Sequence, residues 1–226
     1  MTEEKPRSRG RRKQQKRRVL LVLLADMILA AAILVCLGIL AVRKVKEDRR
    51  PELSEIAAPD WYTQDFFVKN PYSRPGTKRT KIDNIVIHYV ANPGTTARQN
   101  WNYFNNLAQQ TGANKVSASS HYIIGIDGEI LQGIPLDEVA YANYPRNEDT
   151  VSIECCHPDN TGEFSEETKE ALVKLTAWLC RELKLTEKDV IRHYDVIGKN
   201  CPKYYVEHED AWEDFIRSVK KELKKR

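Results

Sequence analysis

The sequence predicts an α/β domain preceded by one transmembrane helix, and three observations carry that reading. Residues 19–42 are an apolar run with a single charge, Asp26. Beyond it, short β-branched runs such as residues 82–90 and 150–156 alternate in the manner of strands. Between and after these runs lie stretches with apolar residues at helical spacing, including Leu172, Leu175, Leu179 and Leu183.

The apolar run is long enough to span a bilayer. Its 24 residues rise about 36 Å as a helix, against a hydrocarbon core of roughly 30 Å. Asp26 costs about 2.5–3.5 kcal/mol near mid-helix, and fifteen Leu, Ile and Val residues outweigh it. A cleaved signal peptide is the rival, but the run exceeds the usual signal core and basic residues follow it directly. Residues 1–18 carry nine Lys and Arg against Glu3 and Glu4, whereas the far flank has five: Arg43, Lys44, Lys46, Arg49 and Arg50. The richer flank belongs in the cytoplasm. This reading divides the chain into a basic cytoplasmic tail (1–18), an anchor (19–42), a stalk with Pro51 and Pro59 (43–60) and an extracytoplasmic domain (61–226). The basic pI describes the tail, and the near-neutral remainder gives no support for nucleic-acid binding.

The domain opens with an irregular, aromatic-rich stretch from Trp61 to Arg79 that is expected to wrap onto it. In the strand over 82–90, alternation puts Val86 and His88 on one face and Ile85, Ile87 and Tyr89 on the other. Taken alone, a histidine at a strand end is more often a hydrogen-bonded core residue than a ligand. Thr95 or Thr96 caps a helix that aligns Ala97, Trp101, Phe104 and Ala108. Residues 121–126 and 129–132 flank Asp127-Gly128, a two-residue hairpin signal, and bring a second strand histidine, His121.

In the strand over 150–156, Ser152 and Glu154 share one side, and Val151, Ile153 and Cys155 share the other. A carboxylate in such a strand is either one half of a buried ion pair or a general base beside a metal. Cys155, Cys156 and His157 are adjacent, so their side chains diverge and they make no cluster. Ser165 caps a helix with Glu166 and Glu167 in its first turn and the leucine stripe inside. A short strand over 189–193 leads into His193, Lys199 and Cys201, and a final helix starts near Ala211 with Trp212, Val219 and Leu223 inward. Imidazole and thiolate together suit a borderline-soft metal such as zinc, while the lysine between them cannot ligate it.

These residues resemble the zinc-dependent N-acetylmuramoyl-L-alanine amidase family of phage lysins, bacterial autolysins and peptidoglycan recognition proteins. The likeness runs from roughly Asn70 to Trp212. It is carried by Ile85-Val86-Ile87-His88-Tyr89, Ser120-His121-Tyr122-Ile123-Ile124, Asp127-Gly128, Ser152-Ile153-Glu154 and the stretch from Arg192 to Pro202. The resemblance implies a mixed β-sheet flanked by helices, one Zn²⁺ on His88, His193 and Cys201, and Glu154 and Lys199 as catalytic groups. It also implies peptidoglycan as the substrate, cut between N-acetylmuramic acid and L-alanine. Ser120 stands where some members have a tyrosine that assists catalysis. The tyrosine's role is then absent or filled by Glu154, and His121, Ser120 and Trp101 are assigned to substrate contact or to support of the site. The expected protein is a single-pass bacterial cell-membrane enzyme with a monomeric catalytic domain facing the wall. Two rivals are a peptidoglycan-binding receptor of the same fold without catalysis and a thiol peptidase using Cys155 or Cys156.

Overall fold

A computed structural model of the chain describes residues 8–48 and 51–225. Lys5 and Arg7 of the basic tail, and Arg49 and Arg50 of the second basic flank, lie outside the described residues. The chain forms two units that divide at Arg49–Arg50.

The first unit is helix α1, Ser8–Asp48. It extends beyond the apolar run at both ends, because the flanking Lys, Arg and Gln residues are themselves good helix formers. Within it, Lys16–Val42 is long and apolar enough to cross a membrane.

The second unit is built on six strands: β1 (Thr63–Gln64), β2 (Asn84–Tyr89), β3 (Tyr122–Ile124), β4 (Ile130–Gln132), β5 (Thr150–Cys155) and β6 (Val190–Arg192). They form one mixed sheet in the order β1-β4-β3-β5-β2-β6, in which β3–β4 is antiparallel and the other pairs are parallel. The central parallel strands are buried on both faces, which is why β2 and β5 read as β-branched runs. The faces expected from alternation are the faces observed. Ile85, Ile87, Val151, Ile153 and Cys155 pack with helices α3 (Glu166–Glu182) and α6 (Glu209–Leu223). On the other side, Ile123, Leu131 and Cys156 pack with Phe67 and with helix α2 (Ala97–Asn106).

The helix starts follow their caps. Thr96 closes a capping box with Gln99, and Ser165 accepts from the backbone N–H of Thr168. The aromatic stretch after Trp61 does wrap onto the domain. Phe67 is fully buried, and Trp61 meets Trp178 edge-on with ring centroids 6.0 Å apart.

Two features depart from the sequence reading. Part of the expected stalk belongs to the domain: Leu53 lies in a short 3-10 turn inside the α3/α6 core, with Ile56 packed against it. A leucine and an isoleucine bury enough apolar surface to hold this segment down despite its charged neighbours. The hairpin loop is also longer than two residues. Gly125 N–H donates to the Glu129 carbonyl at 2.8 Å, and Gly128 N–H to the Gly125 carbonyl at 3.1 Å. Gly128 at φ +81° supplies the left-handed residue that this three-residue turn requires.

Candidate metal centre

Register across the three strands β5, β2 and β6 assembles the site. His88 at the end of β2 lies opposite Glu154 of β5. Ile87 lies opposite Arg192 of β6, so the next residue, His193, emerges beside His88. The two imidazole centroids are 4.5 Å apart. All of this stands at the carboxyl ends of parallel strands, where α/β sheets present their ligand sites.

His193 opens the short helix α4 (His193–Ile197). Arg192 holds that turn through Asp195, whose carboxylate accepts from both the Arg192 backbone and its guanidinium. The chain then reverses at Gly198, φ +73°, a backbone state that costs glycine little. Tyr194 N–H donates to the Cys201 carbonyl at 2.9 Å and brings the cysteine back to the histidines. Cys201 Sγ comes to 3.7 Å from His88 Nδ1.

The ligand atoms of His88, His193 and Cys201 all lie within 4.8 Å of one another, and all three residues are buried. A tetrahedral zinc site with bonds of 2.0–2.3 Å spaces its ligands about 3.3–3.8 Å apart, so modest contraction suffices. Two polar atoms at this place are uncommitted. His193 Nδ1 is buried with no hydrogen-bond partner, and so is Oε2 of the adjacent Glu154. Unpaired buried polar atoms are rare and call for an explanation, and an ion bound by two imidazoles and a thiol supplies one. The residues fit zinc.

The electrostatics agree. Burial lowers the His88 pKa to about 3, helped by His193 and Lys199, and burial and Lys199 lower that of His193 to about 4. Both are held neutral, the form that ligates metal. Burial raises the Cys201 thiol to about 12 in the metal-free site, with Glu154 adding to the effect; a bound divalent ion reverses that logic and deprotonates a thiol it ligates. Burial lifts Glu154 to about 8, with Lys199 opposing. Its Oε1 is 4.0 Å from His88 Nδ1. Lys199 is exposed, yet its charge reaches His88, His193, Cys201 and Glu154.

The remaining sequence candidates lie elsewhere. Ser120 and His121 are 0% and 1% exposed and have no surface to offer a substrate. Ser120 Oγ donates within the core, to the Tyr122 or Ser152 carbonyl. His121 Nδ1 accepts from Ser152 N–H at 3.1 Å. Trp101 is half-buried, donates from Nε1 to the Asp65 carbonyl at 2.6 Å and lies under the Arg98 guanidinium. Cys155 and Cys156 diverge to opposite faces, and burial raises both thiols, Cys156 to about 12, so neither offers the thiolate a thiol peptidase needs. None of the five cysteines is paired.

Asn143 went unnoticed in the sequence. Its Oδ1 lies 2.7 Å from His88 Nε2. It sits in an irregular loop before Pro145, where no periodicity or spacing marks it.

A family model described as N-acetylmuramoyl-L-alanine amidase matches residues 78–204. That match spans more than half the chain. The chain belongs to the N-acetylmuramoyl-L-alanine amidase family. Among relatives in this family, it is 32% identical over 168 residues to the amidase CwlL of Bacillus licheniformis, covering 69% of this chain and 46% of CwlL. To BlyA of Bacillus subtilis strain 168 it is 31% identical over 183 residues, 72% of this chain and 47% of BlyA. The chain thus spans about half the length of these curated relatives. Among solved structures, PlyL superposes with a TM-score of 0.59 at 25% identity, covering 70% of this chain and 96% of PlyL. The catalytic domain of XlyA superposes at 0.58 and 26%, covering 70% and 98%.

Proposed function

We propose that the domain, which takes in the packed segment around Leu53 as well as the residues from Trp61 onward, is a zinc-dependent N-acetylmuramoyl-L-alanine amidase that hydrolyses the amide between N-acetylmuramic acid and L-alanine in peptidoglycan. The observation that carries this reading is the trio of mutually close ligand atoms on His88, His193 and Cys201 beside the partnerless Oε2 of Glu154. The relatives named as amidases of that bond support the substrate.

His88, His193 and Cys201 would hold one zinc ion, which supplies Lewis-acid activation of water and of the scissile carbonyl near neutral pH. Glu154, kept a carboxylate by the charge of that ion against the effect of burial, accepts the proton of the attacking water at its free oxygen and delivers it to the departing amine of L-alanine. Lys199 donates to the carbonyl oxygen as negative charge gathers there, a contribution of about 3–4 kcal/mol for one well-aimed donor. A receptor that only binds peptidoglycan has no use for a carboxylate beside three ligands, so the presence of Glu154 favours catalysis.

Residues 19–42 anchor this domain in the bacterial cell membrane, with 1–18 in the cytoplasm and the residues between the apolar run and Leu53 leading out to the wall, where it works as a monomer. The nine-to-five excess of Lys and Arg before the apolar run supports that orientation. The test is digestion of purified peptidoglycan by the full chain in detergent. Stem peptides with newly exposed L-alanine amino groups are expected, without new sugar reducing ends. EDTA stops the release and added zinc restores it. New reducing ends sink the assignment, and release that survives EDTA sinks the zinc dependence.

A further inference from the structure

We infer that Asn143 is a positioning residue of the metal centre: its side-chain amide selects which nitrogen of His88 is free for the ion. His88 Nε2 and Asn143 Oδ1 are 2.7 Å apart, and both residues are buried. An amide presents an acceptor on one side and donors on the other, so this contact alone leaves the imidazole tautomer open. Thr150 removes the ambiguity. Its hydroxyl donates to the Arg146 carbonyl at 2.6 Å, which uses its one proton. The Asn143 group 2.9 Å from Thr150 Oγ1 must therefore be the NH₂ donor, and the group facing His88 must be the carbonyl oxygen. His88 then carries its proton on Nε2. Its bare nitrogen is Nδ1, the atom 3.7 Å from Cys201 Sγ and 4.0 Å from Glu154 Oε1.

The amide is itself held. Asn147 Oδ1 accepts the Asn143 N–H at 2.6 Å and the Ala142 N–H at 3.1 Å. Arg146, whose carbonyl orients Thr150, donates to Asn84 Oδ1 at 2.8 Å. Asn84 begins the strand that ends at His88. The hydrogen-bonded path thus leaves β2 at one end and returns to it at the other, which ties the ring orientation of the ligand to its own strand. Outer partners of this kind change metal affinity by about 10–100-fold when removed.

This inference rests on the zinc reading of the site and is independent of the substrate. The test uses the full chain in detergent, with two readouts: zinc affinity by competition against a chromophoric chelator, and the His88 tautomer in metal-free protein by nitrogen-15 histidine NMR. Asn143→Leu, which deletes Oδ1 at similar volume, is expected to weaken zinc binding about 10–100-fold and to scramble the tautomer. Asn143→Asp keeps the acceptor and is expected to retain both. Thr150→Val removes the group that orients the amide and is expected to lose part of each. Unchanged zinc affinity and tautomer in Asn143→Leu overturn the inference, even if its melting temperature falls. Should Asn143→Leu not fold, Thr150→Val decides: unchanged affinity and tautomer there overturn it too. An unsubstituted chain that binds no zinc sinks the zinc reading instead, a separate result.

Discussion

His88 and His121 stand on the same face of one sheet, 2% and 1% exposed, and their surroundings differ in one respect. Around His121 the hydrogen-bonding capacity is used. Nδ1 accepts from Ser152 N–H, while Nε2 lies 3.1 Å from the Glu138 carbonyl and 2.9 Å from Arg79 Nη2. Arg79 in turn donates to the Leu136 and Thr150 carbonyls. Around His88, Nε2 faces Asn143 and Nδ1 meets only the Cys201 thiol at 3.7 Å, while two neighbouring atoms, His193 Nδ1 and Glu154 Oε2, have no partner. Burial is equal at the two places, so burial cannot identify a site. What separates them is unmet hydrogen-bonding demand gathered beside ligand-type atoms. One cluster fastens β3 to β5; the other is built to receive something.

If that contrast is right, substitutions at the two clusters should affect different properties. The largest effect is expected from Cys201→Ser, because a serine hydroxyl is a poor substitute for a soft thiolate. Zinc content and amidase activity should vanish together, which metal analysis and peptide release would register; a variant that keeps both removes Cys201 from the ligand set. Next comes Glu154→Gln. It should retain about one zinc per chain while activity drops by about 10²–10⁴-fold, the range for a general base. Full activity in that variant assigns the proton transfer to another group. Lys199→Met should lower kcat by about 10²–10³-fold, the cost of one oxyanion donor, with zinc content unchanged. A purely KM effect would make Lys199 a substrate-binding residue instead.

The structural cluster should answer in the opposite way. His121→Leu leaves the Ser152 N–H unpaired and should cost about 1–3 kcal/mol of stability, read by denaturant unfolding, while zinc stoichiometry is retained. Lost zinc with unchanged stability would erase the distinction between the two histidines. The smallest expected effect is a pH dependence. Burial, with the Arg79 charge, holds the folded-state pKa of His121 well below its usual value, and those of His88 and His193 fall to about 3 and 4. The unfolded chain therefore binds more protons once pH drops below about 6.5, and stability falls with it. Glu154, lifted to about 8, takes up a proton in the folded chain and opposes this, but one carboxyl does not offset three histidines. Metal-free protein should lose melting temperature from neutral pH toward pH 4, and His121→Leu should show a shallower slope. A flat profile that persists in Glu154→Gln would mean that these histidines titrate alike in the folded and unfolded chain.

Much of the fold was readable because its cues are local. Alternation with a period of two put Val86 with His88 on one face of their strand, and Ser152 with Glu154 on one face of theirs, from neighbouring residues alone. Thr96 and Ser165 marked helix starts for the same reason: a cap acts on the N–H groups two or three residues ahead. The hairpin misled, since Asp127-Gly128 is compatible with two loop lengths and the Gly125–Glu129 pairing chose between them. The stalk misled as well, because composition says nothing of where Leu53 finds a core.

For the site, the residue types were visible and the family resemblance named the ligands, but nothing local put them together. The sequence by itself determined the apolar helix, the strand faces, the helix caps and the inventory of imidazoles, thiols and carboxylates. Only the tertiary structure decided that Glu154, His88 and His193 stand level across β5, β2 and β6, that His121 belongs to the core, and that Asn143 reaches His88 from 55 residues away. The physical reason is that strand register and hydrogen-bond satisfaction are non-local. They are set by pairing between distant segments, and no window along the chain contains both partners.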